Sequence, residues 1–181
     1  VVAEDALMVI EWTVPVGHTQ GLQGLSCTHR NIFSPEFLRE GQTLKDDLYL
    51  SSITIGCSEG LLAEFAQLLL DAADKTDVET LSMSVTEPGA SKLFANSYLA
   101  VRVSCLNELD TNAMAVGLDR AEIIDGVCSD DLTGSDYNSP PFGCGGYCVS
   151  KDTRQLLANY ENVTQNQIQA TVSSNSTRPF F

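Results

Sequence analysis

The rhythm of hydrophobic and polar positions changes about midway along the chain. Residues 7–16 (Leu7-Met8-Val9-Ile10-Glu11-Trp12-Thr13-Val14-Pro15-Val16) read as a largely buried strand that Pro15 and Gly17 bring to a turn. Asn31-Ile32-Phe33 is a short apolar run ahead of Ser34-Pro35. Ser52-Ile53-Thr54-Ile55-Gly56-Cys57 alternates polar and apolar positions and is rich in β-branched residues, which suits a strand. Leu61, Leu62, Phe65, Leu68 and Leu69 recur at the spacing of an amphipathic helix over 61–73, and 79–86 read as a further strand. Strand, loop, strand, helix, strand is the order of an α/β layer.

From Glu87 to about Val116 a single helical pattern takes over, with Pro88 in its first turn and Gly117 as its stop. Leu93, Tyr98, Val101, Leu106, Leu109 and Met114 are its expected apolar positions. At ~1.5 Å per residue this helix is ~45 Å long, more than a small domain needs, so it is suited to joining domains or carrying a dimer contact. Asp119, followed three residues later by Glu122, starts a second helix in the manner of a capping box. Residues 129–147 are rich in Gly, Ser, Pro and Asp and lack helical period; loops of this length usually act as lids or binding loops. Shorter helices are expected at 150–160 and 163–175. There is no internal repeat and no low-complexity tract. The organisation expected is an α/β front portion over 1–86 and an all-α portion with one long helix over 87–181.

Composition narrows the partners. The 181 residues hold 24 Asp plus Glu against 10 Lys plus Arg, a formal charge of -14. Such a chain lacks the clustered cations that a nucleic-acid or anionic-membrane surface requires. Hydrophobic residues make up 43%, enough for a packed core rather than disorder. No apolar run approaches the roughly 20 residues that span a bilayer. Val1-Val2-Ala3-Glu4-Asp5 does not begin a signal peptide. Cys27, Cys57, Cys105, Cys128, Cys144 and Cys148 are scattered, several of them in apolar runs, so a reduced, cytoplasmic protein is expected. Asn162-Val163-Thr164 and Asn175-Ser176-Thr177 are then chance sequons.

The stretch richest in chemistry is Phe142-Gly143-Cys144-Gly145-Gly146-Tyr147-Cys148-Val149-Ser150-Lys151-Asp152-Thr153. A glycine-rich loop runs into Cys148 where a helix begins, and unsatisfied N–H groups at a helix start favour a thiolate. Lys151 adds positive charge, and Asp152 lies one helical turn past Cys148. This is the pattern of an activated nucleophile with an ionisable partner. The plainer alternative is a buried loop cysteine beside an ordinary capping aspartate. A zinc site through Cys144 and Cys148 fails on ligand count, since His18 and His29 are far away in sequence, and no metal is expected. Lys92 and Asn96 are four apart on the long helix, where an ammonium and an amide could meet a negative oxygen, or could simply be solvated. Glu36 and Glu40 share a face if their segment is helical, and close burial would raise one pKa; a solvated acidic turn is the alternative.

Several ordered runs together resemble the UDP-glucose/GDP-mannose dehydrogenase family. They are Lys92-Leu93-Phe94-Ala95-Asn96-Ser97-Tyr98-Leu99-Ala100, Asn107-Glu108-Leu109-Asp110-Thr111, Ile123-Ile124-Asp125-Gly126-Val127, and Gly145-Gly146-Tyr147-Cys148 with Lys151-Asp152-Thr153. Upstream, Thr13-Val14-Pro15-Val16-Gly17 and Phe33-Ser34-Pro35-Glu36-Phe37-Leu38-Arg39-Glu40 are also similar. The resemblance implies an NAD-dependent, four-electron oxidation of a nucleotide sugar's primary alcohol to a carboxylate, through a cysteine thioester. UDP-glucose is the favoured substrate, with GDP-mannose or a UDP-N-acetyl-hexosamine the alternative. It further implies Cys148 as nucleophile, Asp152 near the catalytic water, Lys92 and Asn96 as oxyanion donors, Glu40 as general base and Thr13 as a water-positioning hydroxyl. Thr13, Glu40 and Lys151 would touch NAD. Glu36, Phe37, Leu38, Lys92, Asn96, Tyr137, Asn138 and Gly145 would touch the nucleotide sugar. A homodimer through helix 87–116 is implied as well.

Some parts depart from the family. The chain contains no G-x-G-x-x-G to cradle a dinucleotide pyrophosphate. The resemblance therefore implies an internal piece: the end of a Rossmann-like NAD-binding domain followed by the central helical domain. Leu132 stands where the family commonly has an arginine reaching substrate across the dimer, Cys144 where an aromatic is usual, and Ser150 where proline is usual. A non-catalytic dimerisation module is the reading of another class.

Overall fold

The structure is a computed structural model that describes residues 3–23, 25, 30–39, 41–57, 60–138, 146–160 and 163–177. It divides into two units, Val1–Lys92 and Leu93–Phe181. In the first, the apolar runs pair into a four-stranded sheet of β1 (Met8–Ile10), β2 (Asn31–Phe33), β3 (Ser52–Gly56) and β4 (Glu79–Met83), in that spatial order. β1 and β2 are parallel, as are β3 and β4, while β2 meets β3 antiparallel at Phe33 and Gly56. Helix α1 (His18–Gln23) connects the first parallel pair, and α3 (Leu62–Ala72) connects the second. Parallel neighbours need such crossovers. Ile32, Ile53, Ile55, Phe65 and Ala66 form the core between sheet and α3. Ile53 to Gly56 are all buried, so β3 is covered on both faces. The strand expected there is present, and even Thr54 is buried, at 4% exposure.

Three front-half expectations change. The first strand ends at Ile10, whose carbonyl accepts the Ser34 N–H at 2.9 Å, and Trp12 beyond it is 84% exposed. Pro15 and Gly17 (φ +87°) then turn the chain into α1, with His18 N–H donating to Pro15 O at 3.0 Å. Helices α1 and α2 (Thr43–Leu48) were not expected: α1 contains a glycine, and α2 is polar and buries no residue. Arg39 holds α2 by donating to Asp46 from its guanidinium (2.5 Å) and its backbone (2.8 Å).

Helix α4 spans Glu87–Val116, as the pattern predicts, and the division between units falls inside it. Its start is fitted to β3 by a glycine. A Cβ on Gly56 would lie 2.8 Å from Pro88 Cγ and 2.9 Å from Ser84 O. The buried side of α4 is not the apolar set expected. Leu93, Ala100, Val103, Leu106 and Ala113 alternate with buried Ser97, Ser104, Asn107 and Asp110, whereas Tyr98 and Met114 are exposed. Small and polar residues fill a face that hydropathy alone assigns to bulky ones. Gly117 (φ +75°) ends the helix, and Leu118 N–H returns to Ala113 O at 2.9 Å, a glycine stop closed by a six-residue hydrogen bond.

The second unit continues with α5 (Arg120–Cys128), α6 (Tyr147–Ala158) and α7 (Gln167–Thr177). Asp119 caps α5, its Oδ1 accepting from Ala121 N–H (2.8 Å) and Glu122 N–H (3.4 Å). Arg120 closes the turn by pairing with buried Asp110 at 3.0 Å. Helix α6 starts three residues earlier than expected and α7 four residues later. Among the described residues, no helix is long and apolar enough to cross a membrane.

Candidate functional site

The glycine-rich run enters α6 through Gly146, which sits at φ +100° and caps the helix with no side chain. A residue bearing Cβ would be strained there. Tyr147 is the first helical residue and Cys148 the second, so Cys148 lies within the turn whose N–H groups lack helical acceptors. The thiol is exposed rather than packed into the core, and it is unbridged, as are Cys57, Cys105 and Cys128. One residue on, Val149 is buried, and one turn on, Asp152 is fully buried. The helix thus turns its thiol outward and its carboxylate inward.

Asp152 is held rather than stranded. Its Oδ2 accepts from Asn96 Nδ2 at 2.5 Å, and its Oδ1 lies 3.4 Å from Lys151 Nζ. Lys151 Nζ also sits 5.7 Å from the Tyr147 ring centroid. A carboxylate with no solvent contact needs such partners, since an uncompensated buried charge is severely destabilising. The Asn96 amide, 56 positions earlier in the chain, therefore has a structural duty as well as any chemical one. Spacing had matched Asn96 with Lys92. In the structure the two hold different partners: Lys92 Nζ donates to the backbone carbonyl of Glu36 at 2.7 Å, within the first unit.

The segment Ser34–Arg39 follows β2 in non-helical form, so Glu36 is not on a helical face; Glu40 lies outside the described residues. Ser34 anchors the segment, its Oγ donating to Thr54 O at 3.1 Å. Glu36, Phe37 and Leu38 line a cleft of about 440 Å³, together with Glu11, Asp46 and Tyr49. Within it, burial pushes the Glu11 carboxyl above its ordinary range, aided by repulsion from Glu36 and Asp47. The hydrogen bonds from Arg39 hold Asp46 down at about 2. The glutamate with the raised pKa is thus one the sequence reading passed over. The signal was a carboxylate embedded in the apolar run of residues 7–16. Thr13 lies three residues past β1 and is half-buried.

Tyr137 and Asn138 lie at the described end of the loop that follows α5. Tyr137 adopts φ +54°, the one positive value among the described non-glycine residues. Gly145 and Cys144 fall outside the described residues. On the exposed side of α6, Gly146, Tyr147, Ser150, Lys151 and Arg154 border an open hollow. Its two cations suit a diphosphate, so these residues fit part of a dinucleotide. The glycine cradle for a pyrophosphate is not among the motifs of the chain. Among the described residues no group of three His, Cys, Asp or Glu could hold a metal.

Comparison with known proteins gives this arrangement a context. Residues 87–177 match the UDP-glucose/GDP-mannose dehydrogenase family, central domain. The chain is 46% identical over 181 residues to UDP-glucose 6-dehydrogenase of Streptococcus pneumoniae, covering 97% of this chain and 46% of that protein. It is 43% identical over 174 residues to UDP-glucose 6-dehydrogenase of Campylobacter jejuni, covering 96% and 44%. Its fold is similar to that of a UDP-glucose dehydrogenase from the archaeon Pyrobaculum islandicum, at TM-score 0.78 and 29% identity, covering 96% of this chain and 41% of that one. The chain spans less than half the length of the curated relatives it matches.

Proposed function

This chain belongs to the UDP-glucose/GDP-mannose dehydrogenase family, and from that premise we propose that it bears the nucleophile of an NAD-dependent oxidation of UDP-glucose to UDP-glucuronate. Identity of 43% and 46% to two UDP-glucose 6-dehydrogenases supports this substrate over other nucleotide sugars. The observation on which the reading rests is the first turn of α6. There an exposed Cys148 thiol stands one turn before a buried carboxylate that is held by an amide and an ammonium.

In this reading the alcohol carbon first gives up a hydride and its hydroxyl a proton, which passes to solvent, leaving an aldehyde. The Cys148 sulfur then attacks the carbonyl carbon; a C–S bond forms and the carbonyl oxygen becomes an oxyanion. The Lys92 ammonium and the Asn96 amide are the donors to that oxygen. An ammonium carries three N–H donors and a primary amide two, so both residue types suit that role. NAD, when bound, takes the hydride lost at each of the two oxidations. Loss of the second hydride leaves an acyl group on Cys148 as a thioester. Water adds to the acyl carbon, the C–S bond breaks, and the thiolate departs, leaving the carboxylate. Glu40 takes the proton of that water, and Thr13 and Asp152 order it. Lys151 meets the cofactor diphosphate, as do Thr13 and Glu40 other parts of the cofactor. Glu36, Phe37, Leu38, Tyr137, Asn138 and Gly145 seat the nucleotide sugar. A homodimer through α4 completes the proposal, in keeping with exposed Phe94, Tyr98 and Met114 along that helix.

Replacing the sulfur tests the reading. Cys148→Ser is expected to lower UDP-glucose-dependent NADH production by about a thousandfold or more, with no acyl-enzyme recoverable after acid quench. Cys144→Ser should be mild. Wild-type turnover by the Cys148 variant would exclude the mechanism.

A further inference from the structure

We propose that Arg102 is a positioning residue for the loop after α5, holding it in the shape that offers Tyr137 and Asn138 to the nucleotide sugar. The inference rests on the function proposed above. Arg102 projects from α4, half-buried, and its two terminal nitrogens donate to successive carbonyls, Nη1 to Thr133 O at 2.5 Å and Nη2 to Gly134 O at 2.6 Å. The opposite end of the same turn is closed by Asp130. Its Oδ1 accepts from Leu132 N–H (2.8 Å) and Thr133 N–H (3.3 Å). Its carbonyl accepts from Thr133 N–H (3.0 Å) and Gly134 N–H (2.9 Å). The turn therefore has its N–H groups satisfied from within and its carbonyls satisfied by one guanidinium from outside.

Apolar burial does little of this ordering. Leu132 is 98% exposed, and Asp131, Ser135 and Asp136 are exposed as well. Two charge-assisted hydrogen bonds are the chief tether of the loop to the helical unit. Three residues beyond Gly134, Tyr137 holds φ +54°, a conformation an aromatic residue adopts only when its surroundings enforce it. Tyr137 is 39% exposed, so part of it stays open to a ligand. A strained, accessible tyrosine on a loop clamped from a helix is the arrangement of a preorganised ligand contact. The planar fork of arginine reaches both carbonyls at once, which the single ammonium of lysine cannot do in the same geometry.

The test compares Arg102→Met and Arg102→Lys with the wild-type protein. The Met variant is expected to raise KM for UDP-glucose about tenfold, the Lys variant less, with kcat within about twofold and KM for NAD unchanged. Hydrogen exchange at the amides of 131–138 should accelerate in the Met variant, while those of α4 and α6 keep their protection. Unchanged exchange at 131–138 would refute the clamp whatever the activity. Faster exchange spread through α4 and α6, with KM unchanged, would mark Arg102 as a general stabilising residue and overturn the positioning role. If the wild type makes no NADH from UDP-glucose, the proposed function fails separately. The clamp is then judged on exchange, and its ligand role on calorimetric UDP-glucose binding, where equal affinity of wild type and Met variant would overturn it.

Discussion

Gly56→Ala adds one methyl group at the tightest joint of the first unit. The new carbon would meet Pro88 Cγ at 2.8 Å, Ser84 O at 2.9 Å and Pro88 Cδ at 3.0 Å, all well inside ordinary contact. None of these neighbours can swing aside: one is a backbone oxygen and two belong to the ring of a fully buried proline. Relief requires the end of β3 and the first turn of α4 to part by about half an ångström, the kind of overpacking that costs about 1–3 kcal/mol. Taking about 2 kcal/mol, local opening of β3 becomes about 30-fold more frequent, since each 1.4 kcal/mol is tenfold. Native-state hydrogen exchange of the Ile53 and Ile55 amides reads this directly. The matched control is Gly126→Ala, on the exposed side of α5 with nothing within 4 Å of its added carbon, which should stabilise by about 0.5–1 kcal/mol. Lys92 follows Pro88 by one helical turn, so the same displacement stretches its 2.7 Å contact with Glu36 O. Exchange of β3 amides within twofold of wild type would show that the joint has slack and that the close-packing argument is wrong.

Asn96→Ala removes the 2.5 Å donor from a carboxylate with no solvent contact, and should cost about 1–3 kcal/mol in urea unfolding; Asp152→Asn in that background should recover part of the loss. Asp119→Ala deletes the side-chain cap of α5 and should lower stability by about 1 kcal/mol, seen as faster exchange of the α5 amides. Glu11 has its folded pKa raised by burial and by Glu36 and Asp47, so the native state binds the proton more tightly than the unfolded chain. Its contribution to stability is therefore lost as pH rises through the raised pKa. Glu11→Gln should accordingly be more stable than wild type at pH 7, with the gap closing below pH 4; a gap that is independent of pH would refute the assignment.

The long helix was legible from Pro88 in its first turn and Gly117 at its stop, α3 from apolar residues at helical spacing, and the strands from short apolar runs bounded by turn residues. Helix α2 was not, because its residues bury nothing and it is held instead by Arg39, outside the helix. The position of Cys148 at a helix start was readable from the glycine run, since Gly146 supplies a conformation other residues resist. The partner of Asp152 was not readable: Asn96 is 56 residues away, and local spacing pairs it with Lys92 on its own helix. Nor was the buried side of α4, where Ser97, Ser104, Asn107 and Asp110 occupy positions that hydropathy gives to Tyr98 and Met114. Asp110, for one, is buried against Arg120 of the next helix, a partner that a one-dimensional pattern does not show.

Helix α4 begins at Glu87 and ends at Val116, while the two units meet between Lys92 and Leu93. Neighbouring modules are usually stitched by a pliant stretch that recombination can cut and rejoin. Here a crossover at the seam would fall inside one continuous helix and part residues that share a face, Lys92 from Asn96 among them. The two halves are therefore expected to be inherited together, and gene splicing that swaps either one should succeed only when the breakpoint is moved clear of the rod.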